Sequence, residues 1–193
     1  MSLRLPILPT IIVVAAAATM VALGIWQLGR ADEKARQIER YAQAQEASAG
    51  ADFPISGEGE EVWFRQSTVA CASLKGIEPV AGTAASGAKG WAIRARCETE
   101  AGGEAIVELG FQRDLAVPDW QPATISGTIA PGPRLVADPP QAGLEPLARP
   151  NPSDLPNNHL AYAGQWFFFA VTALVIYALA LRARARGTGR RRN

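Results

Sequence analysis

The stretch LPILPTIIVVAAAATMVALGIWQLG, residues 5–29, decides the fold of this chain. It contains no charged residue, and its polar side chains are those of Thr10, Thr19 and Gln27. A hydrocarbon core of about 30 Å is crossed by about 20 helical residues, so the run is long enough to span a membrane. Cleavage as a signal peptide is disfavoured, because the run is unusually long and no small-residue cleavage site precedes the charges that follow.

A second uncharged apolar run covers residues 160–181, and charge is divided sharply around the two runs. Between them lie 12 basic and 18 acidic residues, a net charge of −6. Outside them lie Arg4 and six arginines in residues 182–192. Because positive charge favours the cytoplasmic side, this pattern predicts a membrane protein with both termini cytoplasmic and an exported central domain, which for a bacterial chain means the cell inner membrane and the periplasm.

The domain plan follows from these runs. We predict an N-terminal transmembrane helix at residues 1–29 and an extracytoplasmic domain at 30–158. A C-terminal transmembrane helix at 159–181 and a basic cytoplasmic tail at 182–193 complete the chain. The first helix is expected to extend into water over residues 30–47, which contain neither glycine nor proline. Asn157 and Asn158 suit the N-terminal cap of the second helix.

The central domain is predicted to be mainly antiparallel β. Apolar and polar side chains alternate approximately within residues 62–73, more strictly over 91–97, and again over 123–129, and residues 105–111 are predicted to form a further strand. Residues 100–103 contain two glycines, so the second and third stretches should form a hairpin. Residues 131–156 are rich in proline and are expected to form an irregular connection. The expected fold class is therefore membrane α+β, with two transmembrane helices flanking a small sheet domain.

Cys71 and Cys97 are the only two cysteines, and both lie in the region predicted to be exported. In an oxidising compartment, cysteines on neighbouring strands favour a disulfide, which would stabilise the domain by about 3 kcal/mol. Unpaired buried thiols are a second interpretation. A copper or zinc site has the least support, because the cysteines are 26 positions apart with no Cys-x-x-Cys motif and no nearby histidine.

His159 is the only histidine and stands where the second helix begins. A single histidine excludes metal sites built from several histidines, and no nucleophile, base and metal cluster converge, so we expect no enzyme. On a helix His159, Tyr162 and Trp166 share one face, which would suit a flat porphyrin. The alternatives are a capping histidine in contact with headgroups and an aromatic belt at the membrane interface.

Trp26, Gln27 and Arg30 occupy the exported end of the first helix. Trp26 suits the membrane interface, since its ring is apolar and its N–H is polar. Gln27 and Arg30 would lie at the same membrane face as His159. They are candidates for a polar rim around a ligand or, alternatively, for contact with headgroups. The basic tail is read as a topology determinant and not as a nucleic-acid site.

The two ends of the chain resemble the surfeit locus protein 1 family. The residues that carry the likeness are LGIWQLGR at 23–30 with Lys34, and NNHLAYA at 157–163 with Trp166 and Phe167. Residues 105–111 and 119–133 are similar to the family more weakly. The order of helix, exported domain and helix also agrees.

This resemblance implies a bacterial-type assembly factor for haem–copper cytochrome c oxidase. It implies that haem a is a transient cargo and that His159 ligates the haem iron. The implied partners are the largest oxidase subunit, haem a synthase and the lipid bilayer. The alternative is a scaffold without haem that stabilises an oxidase assembly intermediate.

The chemistry of haem a limits where such a carrier would hold it. Haem a is apolar and farnesylated, so a site in or beside the membrane, where the helices meet the exported domain, is expected. One histidine supplies one axial ligand at most. The opposite position would be open, occupied by water, or filled by Met20, and an open position would help release.

Overall fold

A computed structural model of the chain describes residues 6–47, 50–55, 59–100 and 102–190. It contains two long helices, α1 (Ile7–Glu46) and α2 (His159–Arg190). Between them lie five strands and two short 3₁₀ turns. The strands are β1 (Gln66–Thr83), β2 (Lys89–Thr99), β3 (Glu104–Gln112), β4 (Thr124–Ala130) and β5 (Arg134–Ala137), and the turns are Glu60–Val62 and Pro152–Asp154. Arg4 and residues 191–193, which enter the charge argument above, lie outside the described residues.

The chain divides into two compact units, one of Met1–Gln37 with Pro156–Asn193 and one of Ile38–Leu155. The first unit is the helix pair, and the second is a sheet closed into a barrel in the order β1-β2-β3-β5-β4. Two long apolar helices flanking a sheet domain are therefore confirmed. Both helices are long and apolar enough to cross a membrane by length and composition.

The sheet is mixed, which corrects the expected antiparallel character in part. Four pairings are antiparallel, whereas β3 and β5 run parallel, with Val107 opposite Leu135. The parallel pairing was not predicted, because β5 lies within the segment expected to be irregular, 131–156. This strand is only four residues long and is flanked by prolines at 133 and 139, so its pattern is too short to be distinguished from a loop.

The first strand also departs from the prediction. It begins at Gln66 and continues to Thr83, ten residues beyond the predicted stretch. Phe64 explains the late start: its φ of 67° is left-handed, which interrupts extended backbone. Irregular register between Cys71 and Ser73, and between Leu74 and Gly76, breaks the alternation that would have shown the strand's full length.

The core of the barrel comes from the strands that alternate regularly. On β2 the side chains of Ile93, Ala95 and Cys97 are fully buried, while Arg94 and Arg96 lie on the outer face, as predicted. Fully buried partners on the other strands include Val107, Leu109, Ile125, Ile129 and Leu135. Gly127 lets β4 approach β5 closely, because a Cβ there would lie 2.1 Å from the carbonyl oxygen of Val136.

The Cys71–Cys97 disulfide is present and joins β1 to β2, with Cα atoms 5.2 Å apart. Both cysteines are buried, at 7% and 0% exposure, so the bond lies within the core cluster. Of the three interpretations of the cysteines, the disulfide is the one that the structure contains.

A buried carboxylate organises the outer face of the barrel. Glu108 on β3 accepts a hydrogen bond from Arg94 at 2.8 Å, and Arg134 Nε lies 3.0 Å from the same oxygen. The Glu108 side chain is only 9% exposed. By contrast, Glu98 accepts from Lys75 at 2.6 Å with both side chains about half exposed. That hydrogen bond lowers the pKa of Glu98 and raises the pKa of Lys75.

Removal of the disulfide should destabilise the barrel. We expect the Cys71→Ala/Cys97→Ala chain to lose about 3 kcal/mol in free energy of unfolding, the value for closing a loop of this length in the unfolded state. Urea unfolding of the full chain in detergent, followed by near-ultraviolet circular dichroism, measures the difference. The parent chain with reductant should lose a similar amount, and equal stability of all three samples would contradict the prediction.

Neutralising Glu108 should be costly, because two guanidinium groups would then face each other without their shared counter-charge. We expect Glu108→Gln to lower the free energy of unfolding by about 3 kcal/mol, the lower end of the range for broken buried ion pairs, because the Arg94 and Arg134 side chains are 29% and 32% exposed. Glu98→Gln is the matched control and should have little effect, since exposed pairs contribute little. Equal urea midpoints for the two variants would show that Glu108 is not the central charge of this face.

Candidate functional site

Helices α1 and α2 pack against each other antiparallel. Thr10 near the start of α1 contacts Tyr177 far along α2, with their hydroxyl oxygens 2.5 Å apart. Gln27, seventeen residues later on α1, contacts His159 at the start of α2. The two contacts can form together only if the helices run in opposite directions.

The interface between the helices is a seam of small residues. The buried positions Ala17, Gly24 and Ala31 recur every seven residues on α1, and Ala163 and Ala170 do so on α2. A seven-residue spacing keeps one face of a helix on its partner, and small side chains allow the backbones to approach. This seam is absent from the sequence-based predictions, although the spacing is visible in the sequence.

The seam brings His159 against Gln27. His159 Nδ1 lies 2.7 Å from Gln27 Oε1, and both residues are half-buried. In the described part of the chain, His159 Nε2 has no hydrogen-bond partner. The ring is therefore held through one nitrogen and presents the other.

A second polar contact lies beside the first. Asn157 Nδ2 donates to the carbonyl oxygen of Ala31 at 3.1 Å, one turn along α1 from Gln27. Among the residues that the structure describes, the amide oxygen of Asn157 is buried without a hydrogen-bond partner. Asn157, expected to cap α2, thus binds the other helix, whereas the Asn158 carbonyl accepts the first hydrogen bond of α2 from the Tyr162 N–H.

Tyr162 and Trp166 lie on the same side of α2 as His159. Each residue turns a helix by about 100°, and Ala163 faces α1, so these three residues share the flank next to that interface. Tyr162 is 52% exposed, and Trp166 is half-buried with its ring edge-on to Phe169 at 6.4 Å. The structure thus places two aromatic residues on the same flank of α2 as the imidazole.

Trp26 and Arg30 are placed differently. Trp26 is 56% exposed and, two residues from Gly24, points about 160° away from the interface. Arg30 forms an exposed ion pair with Glu33 at 2.5 Å. Of the six predicted residues, the structure brings Gln27 and His159 into contact, sets Tyr162 and Trp166 beside them, and directs Trp26 and Arg30 elsewhere.

The sheet unit offers no competing site of similar quality. Its open cleft, with a volume of about 970 Å³, is lined by mainly polar groups such as Arg65, Gln66 and Thr68. Small-ligand sites are usually more enclosed and more apolar. Among the described residues, no group of three or more His, Cys, Asp or Glu side chains is arranged to hold a metal ion.

The fold and the site define a class of protein with two apolar antiparallel helices and a five-stranded barrel between them in sequence. The helix pair carries a polar cluster near one end. The chain matches the model of the SURF1 family over residues 14–145, more than half its length. It belongs to the SURF1, or surfeit locus protein 1, family, and the family assignment made from the sequence is confirmed. This family is known for cytochrome oxidase assembly and is not a catalytic one. No curated protein matches the chain.

Substitution within the seam tests the helix packing. A Cβ on Gly24 would lie 2.5 Å from Phe167 Cε1, whereas nothing lies within 4 Å of a Cβ on Gly29. We expect Gly24→Ile to destabilise the helix pair by about 1–3 kcal/mol, as overpacking does. Gly29→Ile, the matched control, should change stability by less than about 0.5 kcal/mol. Unfolding in mixed micelles, followed by far-ultraviolet circular dichroism, compares them, and equal losses would exclude the seam.

Proposed function

We propose that this protein is a haem a carrier that assists assembly of cytochrome c oxidase, with His159 as the protein ligand to the haem iron. The observation that carries the proposal is the contact of His159 with Gln27. It fixes a half-buried imidazole by Nδ1, while Nε2 has no hydrogen-bond partner among the described residues and lies on the flank of α2 that carries Tyr162 and Trp166. Histidine ligands of metals commonly have this arrangement, in which the second ring nitrogen is held by an oxygen acceptor.

We also propose that both helices span the cell inner membrane. Large apolar side chains on their outer faces are exposed, among them Ile7 at 75%, Phe168 at 66% and Ile176 at 62%. Exposed apolar surface on this scale suits lipid better than water. With the charge division of the sequence, this supports cytoplasmic termini and a periplasmic barrel.

The residues at the proposed site fit haem a as a cargo. The imidazole would supply a ligand to the haem iron, and the adjoining helix flanks would supply apolar and aromatic surface for the porphyrin and its hydrophobic tail. The sequence has no second histidine, so any further ligand would be water or a weak donor such as Met20, seven residues before Gln27 on the same side of α1. Such weak ligation would favour release.

The proposed recipient is the largest oxidase subunit, and haem a synthase is the proposed source. A chemical reason supports a direct exchange between membrane proteins. Because haem a is too apolar to travel through water, its donor and its recipient should both be reached from the membrane.

A scaffold without haem is the alternative function. One observation favours it: the family match ends at residue 145, before Asn157 and His159, so membership of the family does not depend on this histidine. A scaffold would bind an unfinished oxidase subunit through the exposed faces of its helices. The two functions differ in what they require of His159.

Absorption spectroscopy of the purified chain separates the two functions. We expect the detergent-solubilised protein, produced together with haem a biosynthesis, to contain haem a. His159→Ala should lose at least tenfold of the bound pigment and reduce oxidase maturation, whereas Asn158→Ala, an exposed neighbour, should retain both. A colourless parent chain that still supports oxidase assembly would refute the carrier and establish the scaffold.

A further inference from the structure

Gln27 is an unusual residue in its setting. It is the last polar residue of an uncharged run of 25 residues, and it is half-buried against another helix. An amide removed from water without a hydrogen-bond partner costs free energy, so its contact with His159 compensates for its burial. The same contact also acts on the histidine.

The chemistry of the two side chains determines which of them donates. The carboxamide oxygen Oε1 can only accept, so His159 Nδ1 must carry the hydrogen in the 2.7 Å contact. A neutral imidazole has one N–H, and with that hydrogen on Nδ1 the lone pair lies on Nε2. The contact therefore selects the tautomer in which Nε2 is able to ligate.

A second contact restrains the same two segments. Asn157 binds the carbonyl oxygen of Ala31, four residues from Gln27, while His159 binds Gln27 itself. Two hydrogen bonds one turn apart hinder sliding of α2 along α1, and the bond to Gln27 keeps the imidazole from turning around its Cβ–Cγ bond. Ring direction and tautomer are thus set before any ligand arrives.

We infer that Gln27 is a positioning residue, which holds His159 in the Nδ1-protonated tautomer and aims Nε2 at its ligand. The consequence for haem a rests on the function proposed above. The tautomer itself does not, because the hydrogen bond is present in the protein alone.

The single histidine makes the tautomer directly measurable. Labelling the full chain with ¹⁵N-histidine gives one pair of ring nitrogen signals, whose chemical shifts distinguish Nδ1–H from Nε2–H in the neutral ring. In nanodiscs without haem we expect Nδ1–H in the parent chain. Gln27→Leu, which keeps the size but removes the acceptor, should shift the ring towards Nε2–H, the form favoured by free histidine. Gln27→Glu retains an oxygen acceptor and should keep Nδ1–H.

Haem a binding provides the second measurement. Loss of a partner that orients a ligand typically weakens metal binding by about 10–100-fold, so we expect that decrease for Gln27→Leu. Gln27→Glu should restore affinity to within a few-fold of the parent and, because a carboxylate strengthens donation by the imidazole, lower the haem reduction potential. Gln165→Leu, the same change at an exposed position of α2, controls for altered polarity and should resemble the parent in both measurements.

The two measurements separate the two claims. A parent chain with hydrogen on Nε2, or a Gln27→Leu chain with an unchanged tautomer, would overturn the positioning role. The expected tautomers together with no haem a binding by any chain would establish the positioning of His159 and refute the carrier function. Shifted tautomers with unchanged haem a affinity would show that Gln27 does not position His159 for haem.

Discussion

The close approach of α1 and α2 is the constraint on which the candidate site depends. Gln27 and His159 are 132 residues apart in sequence, and only the seam of small residues brings their side chains within hydrogen-bonding distance. In the proposed membrane setting the helices would gain nothing from hydrophobic association, so packing of small residues and a few interhelical hydrogen bonds would have to hold them together. The bonds from Thr10, Gln27 and Asn157 meet that need at both ends of the pair.

The barrel solves a different physical problem. A sheet domain of this size has a small core, and open sheet edges would be free to pair with other chains. Closure through the parallel pairing of β3 with β5 leaves the strands arranged in a ring, and the Cys71–Cys97 disulfide ties the two longest strands. The shortest strand is therefore essential to the topology, although it contributes only four residues.

The sequence predicted those parts of the fold in which a single pattern of apolar residues runs without interruption. On β2 strict alternation identified the buried face, and uniform apolar character identified both helices. Prediction failed where a local exception interrupted the pattern. The left-handed Phe64 and the irregular register after Cys71 obscured β1, and neighbouring prolines obscured β5. The Phe64 N–H donates to the carbonyl oxygen of Ile129, and β5 pairs with β3, and periodicity does not report such contacts between residues distant in sequence.

The candidate site was predictable in composition but not in orientation. Gln27 and His159 could be assigned to one membrane face from charge and hydropathy, but Trp26 belonged to the same prediction. One residue turns a helix by about 100°, so the choice between Trp26 and Gln27 depends on which face meets α2. That face is set by the seven-residue repeat of small residues, a weaker signal than the apolar run that contains it.

The nature of the acceptor at position 27 bears on the proposed carrier role. A carboxylate hydrogen-bonded to a ligating histidine increases the basicity of the ring and strengthens its bond to the metal. A carboxamide oxygen is neutral, so it selects the tautomer without adding that charge. It also avoids placing an ionised group at the end of an apolar helix, which would be costly in lipid. A protein that keeps its haem gains from the stronger bond, whereas one that delivers haem to another protein must release it. In the proposed carrier, Gln27 would therefore combine preorganisation of the ligand with ligation of moderate strength, which is the combination that transfer requires.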